Sequence, residues 1–383
     1  MKKILFKTGT KEYGGVERIQ GVFINHPNKK NDVLTLFEYE VDSNKVMPDQ
    51  IESNFKYLVS KEQNQQLWTS RANKNNSIAD KIKYNIELIR YKKIRPRIFN
   101  QLVFDFKPDI AINFHDPFFW DWKFLKGVPS IDWIHISLTN TWRSHNDVMK
   151  YLKKISKYDK IVCVSQDIVN DIVKFSPELK DKTICIYNPS DFDKIISLSN
   201  EEFTSDEKVL LDEKFILMVS RIELIQKDPS TLINAFEMAK DTGYDGKLYI
   251  IGGGPDLPKL VEIANNSKYS SDIKCLGPKP NPYNWMKKAD KFILSTKFEG
   301  LPTVLIEALT VNDNVISADC KSGPSEILDN GKYGYLFPIG DAKQLAELIL
   351  NSEPKDRVEI DNHLQIFSQQ SAFQKLEQII NCL

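Results

Sequence analysis

Short apolar runs rich in Ile, Val and Phe alternate with longer helical patterns along this chain, and they do so in two series. In the first half the runs are 4–7, 33–37, 57–60, 110–114, 131–136, 161–165 and 183–187. In the second half they are 215–220, 247–251, 273–276, 292–295, 315–318 and 334–337. A strand that is apolar along its whole length has both faces buried. Separated by helices, such strands form parallel sheets covered on both sides. At 383 residues the chain is too long for one ordinary domain. The two series therefore predict an α/β protein with two doubly wound, Rossmann-like domains. A polar, acidic stretch of low periodicity, 188–212, reads as the linker. The domains expected are 1–190 and 210–355, with a helical tail at 360–383 packing back on the first.

In open parallel sheets, ligands sit outside the carboxyl ends of the strands. Those addresses hold Gly14-Gly15, His115, His135, Arg221, Gly252–Gly254, Gly277 and Glu299. The richest stretch is EGLPTVLIE, bracketed by Glu299 and Glu307, where Gly300-Leu301-Pro302 opens a helical pattern. Pro302 suits the first turn, where a missing N–H costs nothing. A helix start has exposed N–H groups that attract phosphate. Eight positions of helix are a little over two turns, which would put both carboxylates on one face. Such a segment offers a phosphate cradle and two acceptors for hydroxyl groups, the parts needed to hold a nucleotide-activated sugar. A polar cap followed by an exposed helix glutamate is the plainer alternative. Arg221 ends the run 215–220, and Lys227 precedes a helix beginning near Asp228. A forked guanidinium and a point-charge ammonium at one strand end can clamp a diphosphate. Either alone would be a solvated surface charge, but both share the strand-end address of Glu299.

Other classes are disfavoured. With 52 basic and 52 acidic residues, the chain lacks the basic footprint of a nucleic-acid binder. Its five cysteines form no C-x-x-C pair and its five histidines are dispersed, so neither a disulfide framework nor a zinc site is expected. No run approaches a membrane span, and the apolar stretch after Lys3 ends at Lys7, too soon for a signal peptide. A soluble or peripherally bound cytoplasmic protein is expected.

The carboxyl-terminal half resembles the family-4 glycosyltransferases, retaining enzymes of the GT-B fold. The residues that carry the resemblance are Ser220-Arg221 with Lys227, Ile251-Gly252-Gly253-Gly254-Pro255, Leu276-Gly277 and the stretch from Phe298 to Ala308. The segment from Ser322 to Leu328 is similar to the sub-group that builds bacterial surface polysaccharides and lipid-linked oligosaccharides. Gly14-Gly15-Val16-Glu17, His135 and Tyr187-Asn188-Pro189 match the same pattern more loosely, and 40–100 carries no motif. Asp228 departs from it, since many relatives have glycine after the lysine. That puts the local turn in question and sets an acid beside a phosphate-binding lysine.

The resemblance implies a cleft between an acceptor-binding first domain and a donor-binding second domain. Its catalytic set would be His135, Arg221, Lys227 and Glu299. Arg221 and Lys227 would neutralise the donor diphosphate, with the backbone of Gly300, Leu301, Pro302, Thr303 and Val304 completing the cradle. Glu307 would accept from the ribose hydroxyls and Glu299 from the sugar near its C3 hydroxyl. His135 would sit by the C6 hydroxyl and the reacting carbon. Gly14 and Gly15 would let backbone approach the phosphates or the acceptor, and the segment from Gly277 to Pro280 would line the base. The implied reaction moves a hexose or N-acetylhexosamine from a nucleotide sugar, a UDP-sugar by sub-group, to a glycan or lipid-linked glycan. It is the chemistry of lipopolysaccharide or capsule biosynthesis on the inner face of the plasma membrane. Neither metal nor cofactor is expected. A nucleotide-sugar epimerase of the same fold and a catalytically silent sugar-nucleotide-binding protein are the alternatives.

Three further signals were weighed. Asp191-Phe192-Asp193 matches the D-x-D pattern of metal-dependent glycosyltransferases but lies in the linker. His115-Asp116 either touches the acceptor or shapes a turn. The basic helical stretch 81–97 and the aromatic run Phe118-Phe119-Trp120-Asp121-Trp122 would suit an anionic membrane surface. The plainer reading of 81–97 is a helix with its apolar stripe on the sheet and its charges in water.

Overall fold

The computed structural model describes residues 1–9, 15–28, 31–40, 54–115, 123–138 and 144–383. One sheet contains β1 (Lys3–Thr8), β2 (Asp32–Phe37), β3 (Asn54–Tyr57), β4 (Ile110–Asn113), β5 (Ser130–Ile134), β6 (Lys160–Cys163) and β7 (Thr183–Cys185). Their spatial order is β3-β2-β1-β4-β5-β6-β7. The other contains β8 (Phe215–Val219), β9 (Lys247–Ile251), β10 (Ile273–Gly277), β11 (Lys291–Leu294), β12 (Val315–Ala318) and β13 (Tyr335–Phe337), ordered β10-β9-β8-β11-β12-β13. Every pairing is parallel. In each sheet the winding reverses beside the first strand, between β1 and β4 and between β8 and β11. The crevice above such a reversal is where open α/β sheets bind ligands.

The central strands are buried on both faces because helices cover both. Ile4, Leu5 and Phe6 of β1 and Phe292, Ile293 and Leu294 of β11 are all at most 1% exposed. The exception is β3, which starts at Asn54 rather than 57 and is largely exposed. An edge strand has a single neighbour and needs no continuous apolar run, so its sequence signal was weak.

The stretch 188–212 holds more structure than its composition suggests. Asp191 caps a helix, Phe192–Ser199, by accepting the Lys194 N–H at 3.1 Å. Phe192, Ile195 and Leu198 pack into the core, so the connection is a strap rather than a free linker. At the carboxyl end, helix Arg357–Leu364 packs on the second domain, where Arg357 reaches the Leu309 carbonyl at 2.9 Å, and helix Gln369–Cys382 returns to the first. The Ser190 N–H donates to the Phe367 carbonyl at 2.8 Å, and Lys2 Nζ reaches the Ile380 carbonyl at 2.6 Å. The His26 ring stacks on Phe373 at 3.7 Å. One apolar cluster runs from Ile4 and Phe23 through Leu305 and Phe367, so burial joins the two halves. All five cysteines are free.

Candidate functional site at the interdomain cleft

The second-domain side is built where β8 and β11 part. Lys227 ends the short helix Leu224–Lys227, and its Nζ lies 2.5 Å from Glu299 Oε1. The two side chains are 15% and 10% exposed. The segment after β11 is zipped to this helix. Ser295 Oγ donates to the Lys227 or Asp228 carbonyl (3.1 and 2.9 Å), the Lys297 N–H to the Gln226 carbonyl (2.7 Å) and Gln226 Nε2 to the Phe298 carbonyl (3.0 Å). Lysine and glutamate are therefore held by backbone contacts, not by their own attraction alone.

Asp228 resolves the departure from the family pattern. Its φ is 45°, in the left-handed region that glycine adopts freely and that aspartate tolerates better than most residues. Its carboxylate accepts from Thr231 Oγ1 at 2.7 Å and lies 3.3 Å from Lys297. The acid is occupied away from Lys227, which removes the expected conflict.

The helix after Glu299 is Thr303–Val311, with Pro302 at the N-cap rather than in the first turn. Glu299 thus lies in the preceding loop, and the shared helical face expected for the two carboxylates does not exist. They diverge: Glu299 faces Lys227, while buried Glu307 faces the first domain. No side chain caps this helix start, which leaves its leading N–H groups for a ligand. Buried Ser322 donates to the Gly300 carbonyl at 3.0 Å and fixes the loop from behind. Arg221 is placed differently from Lys227. Its guanidinium is 70% exposed and pairs with Glu223 at 3.0 Å. It shares the strand-end address but not the Lys227–Glu299 pair.

Two glycines are dictated by close approach. A Cβ on Gly252, whose φ is 150°, would meet the Ser220 carbonyl oxygen at 1.8 Å. A Cβ on Gly300 would meet the His135 carbonyl oxygen at 1.9 Å. The second contact crosses the cleft and sets His135 against the loop that holds Glu299 and Gly300. Gly277 ends β10 at φ 68°, and the following Pro278 packs 3.6 Å from where a Gly253 Cβ would stand. Lys279 turns away to Glu207 at 2.8 Å.

On the first-domain side, the His135 ring lies 2.7 Å from the Phe114 carbonyl, which requires the proton on Nε2. Burial lowers its pKa to about 3, so the imidazole is neutral. Gly15 opens the helix Gly15–Asn28 after β1; Gly14, Asp116 and the aromatic run Phe118–Trp122 lie outside the described residues. His115 sits beside Gly9.

Two functional candidates escaped the sequence reading. Arg18, one turn into that first helix, reaches Glu307 and Tyr283 of the other domain. It directly follows the Gly14–Glu17 motif, which was the available signal. Glu326, quoted in a motif but given no role, accepts from the Gln166 and Asp167 N–H groups at 2.7 and 2.8 Å. A carboxylate of one domain thus caps a helix of the other. Among the described residues, no group of three or more His, Cys, Asp or Glu is placed to hold a metal, and no helix is long and apolar enough to cross a membrane.

Two Rossmann-like domains closing on a shared crevice define the GT-B class, and solved structures of that class match in fold. A structure from Anabaena, HepE in complex with UDP and glucose, superposes over 100% of both chains with a TM-score of 0.75 at 15% identity. Residues 199–363 match the glycosyl transferases group 1 family. An uncharacterised glycosyltransferase of Methanocaldococcus jannaschii is 30% identical over 242 residues, 60% of each chain. The Campylobacter jejuni N-acetylgalactosamine-N,N'-diacetylbacillosaminyl-diphospho-undecaprenol 4-alpha-N-acetylgalactosaminyltransferase is 29% identical over 189 residues, 49% of each chain. The chain therefore spans between about half and three fifths of the length of these curated relatives. Other relatives include the lipopolysaccharide 1,6-galactosyltransferase of Escherichia coli, 25% identical over 265 residues, and the amylovoran biosynthesis glycosyltransferase of Erwinia amylovora.

Proposed function

We propose that this protein is a retaining, metal-independent glycosyltransferase. It moves a hexose or N-acetylhexosamine from a UDP-sugar to a glycan or lipid-linked glycan. One observation carries this: Lys227, Glu299 and an uncapped helix start meet His135 across a cleft so close that only glycine fits at 300. A UDP complex of the same fold and a relative named for a diphospho-undecaprenol-linked substrate support the donor and acceptor classes.

As the bond from sugar to diphosphate breaks, positive charge grows on the ring and negative charge on the leaving phosphate. Lys227 and the N–H groups at the start of helix Thr303–Val311 balance the phosphate, and exposed Arg221 swings in to share it. The acceptor hydroxyl attacks from the leaving-group face and gives its proton to a phosphate oxygen, so the anomeric configuration is kept. No protein nucleophile takes part. Neutral His135 is not a general acid; it presents imidazole to a sugar hydroxyl.

Incubation with labelled UDP-sugars, with and without glycan-lipid acceptors, tests the proposal. Acceptor-dependent transfer with an α-product, undiminished by chelator, is expected. Isomerisation without acceptor would instead make the protein an epimerase, and inert binding would make it a silent sugar-nucleotide protein.

Peripheral attachment to an anionic membrane on the cytoplasmic side belongs to the same proposal. Helix Ile78–Phe106 carries a second apolar stripe besides the one on its domain. Ile78, Ile82, Ile86 and Ile89 are 81, 54, 46 and 53% exposed, at helical spacing on one face. The plainer reading of this helix put its apolar residues on the sheet; these four are in solvent. Exposed Lys81, Lys83, Arg90, Lys92 and Lys93 lie beside them. Apolar anchors flanked by cations suit an acidic lipid interface. Co-sedimentation with anionic but not neutral vesicles, lost on Ile82→Glu, is expected; equal recovery with both would exclude it.

A further inference from the structure

Arg18 is the structure's own addition to the site. It lies in the first turn of helix Gly15–Asn28 at the carboxyl end of β1. Its Nη1 donates to Glu307 Oε1 at 2.9 Å and its Nη2 to the Tyr283 hydroxyl at 2.8 Å. Both partners belong to the other domain, so one guanidinium spans the cleft. The Arg18 side chain is 42% exposed and that of Glu307 11%. Among the described residues, Arg18 is the one cation within ion-pair distance of Glu307. It engages Oε1 and leaves Oε2 for another donor.

We propose that Arg18 is a positioning residue for the donor: it holds the Glu307 carboxylate aimed at the ribose, and does so only while the domains are closed. This rests on the reading of Glu307 as ribose acceptor. An open cleft withdraws the guanidinium from Glu307 and leaves its orientation unfixed. Donor binding and closure then stabilise one another, because each supplies what the other needs.

The electrostatics agree. Burial raises the Glu307 carboxyl above its ordinary range, and Arg18 opposes that rise. Tyr283, with Asp191 facing it, is the other titratable group at this spot; burial pushes its hydroxyl up to about 12, so it stays neutral. Charges on neighbouring helices are engaged elsewhere: Arg357 with Asp313, Lys287 with Asn200, Glu326 with the Gln166 and Asp167 amides. Removing Arg18 would therefore push Glu307 further up.

The experiment is UDP affinity by calorimetry between about pH 5.5 and 8 for the wild-type protein and its Arg18→Ala, Arg18→Lys and Glu307→Gln variants. The wild type should depend on pH less than Arg18→Ala across that range. Arg18→Ala should bind about tenfold more weakly at the low end of the range and recover part of that loss as pH rises. Arg18→Lys should restore part of the affinity. In a Glu307→Gln background, Arg18→Ala should add nothing and the pH dependence should vanish. Equal or tighter binding by Arg18→Ala at every pH, with the wild type binding UDP, would remove the role of Arg18 alone. No UDP binding by the wild type would remove the donor-site reading of Glu307 and this role with it. Arg18 is half-exposed on a helix surface, and a thermal melt of each variant confirms that it folds.

Discussion

Replacing Lys227 with alanine deletes the cation that faces both Glu299 and the expected leaving phosphate. Two effects are separable. In the resting protein, the 2.5 Å pair loses one member while both side chains are only 15% and 10% exposed. Breaking a fully buried pair costs about 3–5 kcal/mol, and the residual exposure here brings that to about 1–3 kcal/mol of stability. In the transition state, a fixed donor aimed at developing charge contributes about 2.7–4 kcal/mol, so turnover should fall by about 100-fold or more. The backbone should stay in place, because Ser295 and Thr296 hold the carbonyls of this helix. The assay is the rate of acceptor-dependent transfer from a saturating UDP-sugar, alongside urea unfolding. Lys227→Ala combined with Glu299→Gln should recover stability, since no carboxylate is left unpaired, but should not recover turnover. A single-variant rate within twofold of wild type, worth only about 0.4 kcal/mol, would refute the assigned role.

Three other outcomes are expected. Gly300→Ala drives a Cβ into the His135 carbonyl at 1.9 Å, so the cleft cannot shut; transfer should drop by at least about 100-fold, and small-angle scattering should show a larger particle. Asp228→Ala loses the Thr231 bond and places a residue poorly suited to φ 45° there, which should lower unfolding free energy by about 1–2 kcal/mol in urea. His135 has a folded pKa near 3 against the usual 6.5, so its contribution is complete above about 6.5 and is lost as pH falls towards 3. Stability should therefore decline over that window by up to about 1.4 kcal/mol per pH unit, and His135→Asn should flatten that part of the profile.

Much of the architecture is readable in the amino-acid order because burial on both faces leaves a one-dimensional trace. Twelve of the apolar runs coincide closely with strands, and the one displaced, at β3, belongs to an edge whose outer face is wet. The strap 192–199 was missed because an eight-residue helix holds too few turns to display a period. Arg221, Lys227, Glu299 and Glu307 were singled out as candidates from strand-end position and motif. Their partners were not, since an ion pair between residues 72 or 289 positions apart leaves no periodic mark.

The sequence by itself determined two parallel sheets, their order of appearance, and which charged and polar side chains stand after particular strands. Those follow from local periodicity and from the rule that open sheets bind at their carboxyl edges. Only the tertiary structure decided that Glu299 and Glu307 part company, that Asp228 supplies a left-handed turn, and that Arg18 crosses to the opposite domain. Each depends on where a helix starts or on how two domains meet. Both are set by packing among residues far apart in the chain, which no local pattern encodes.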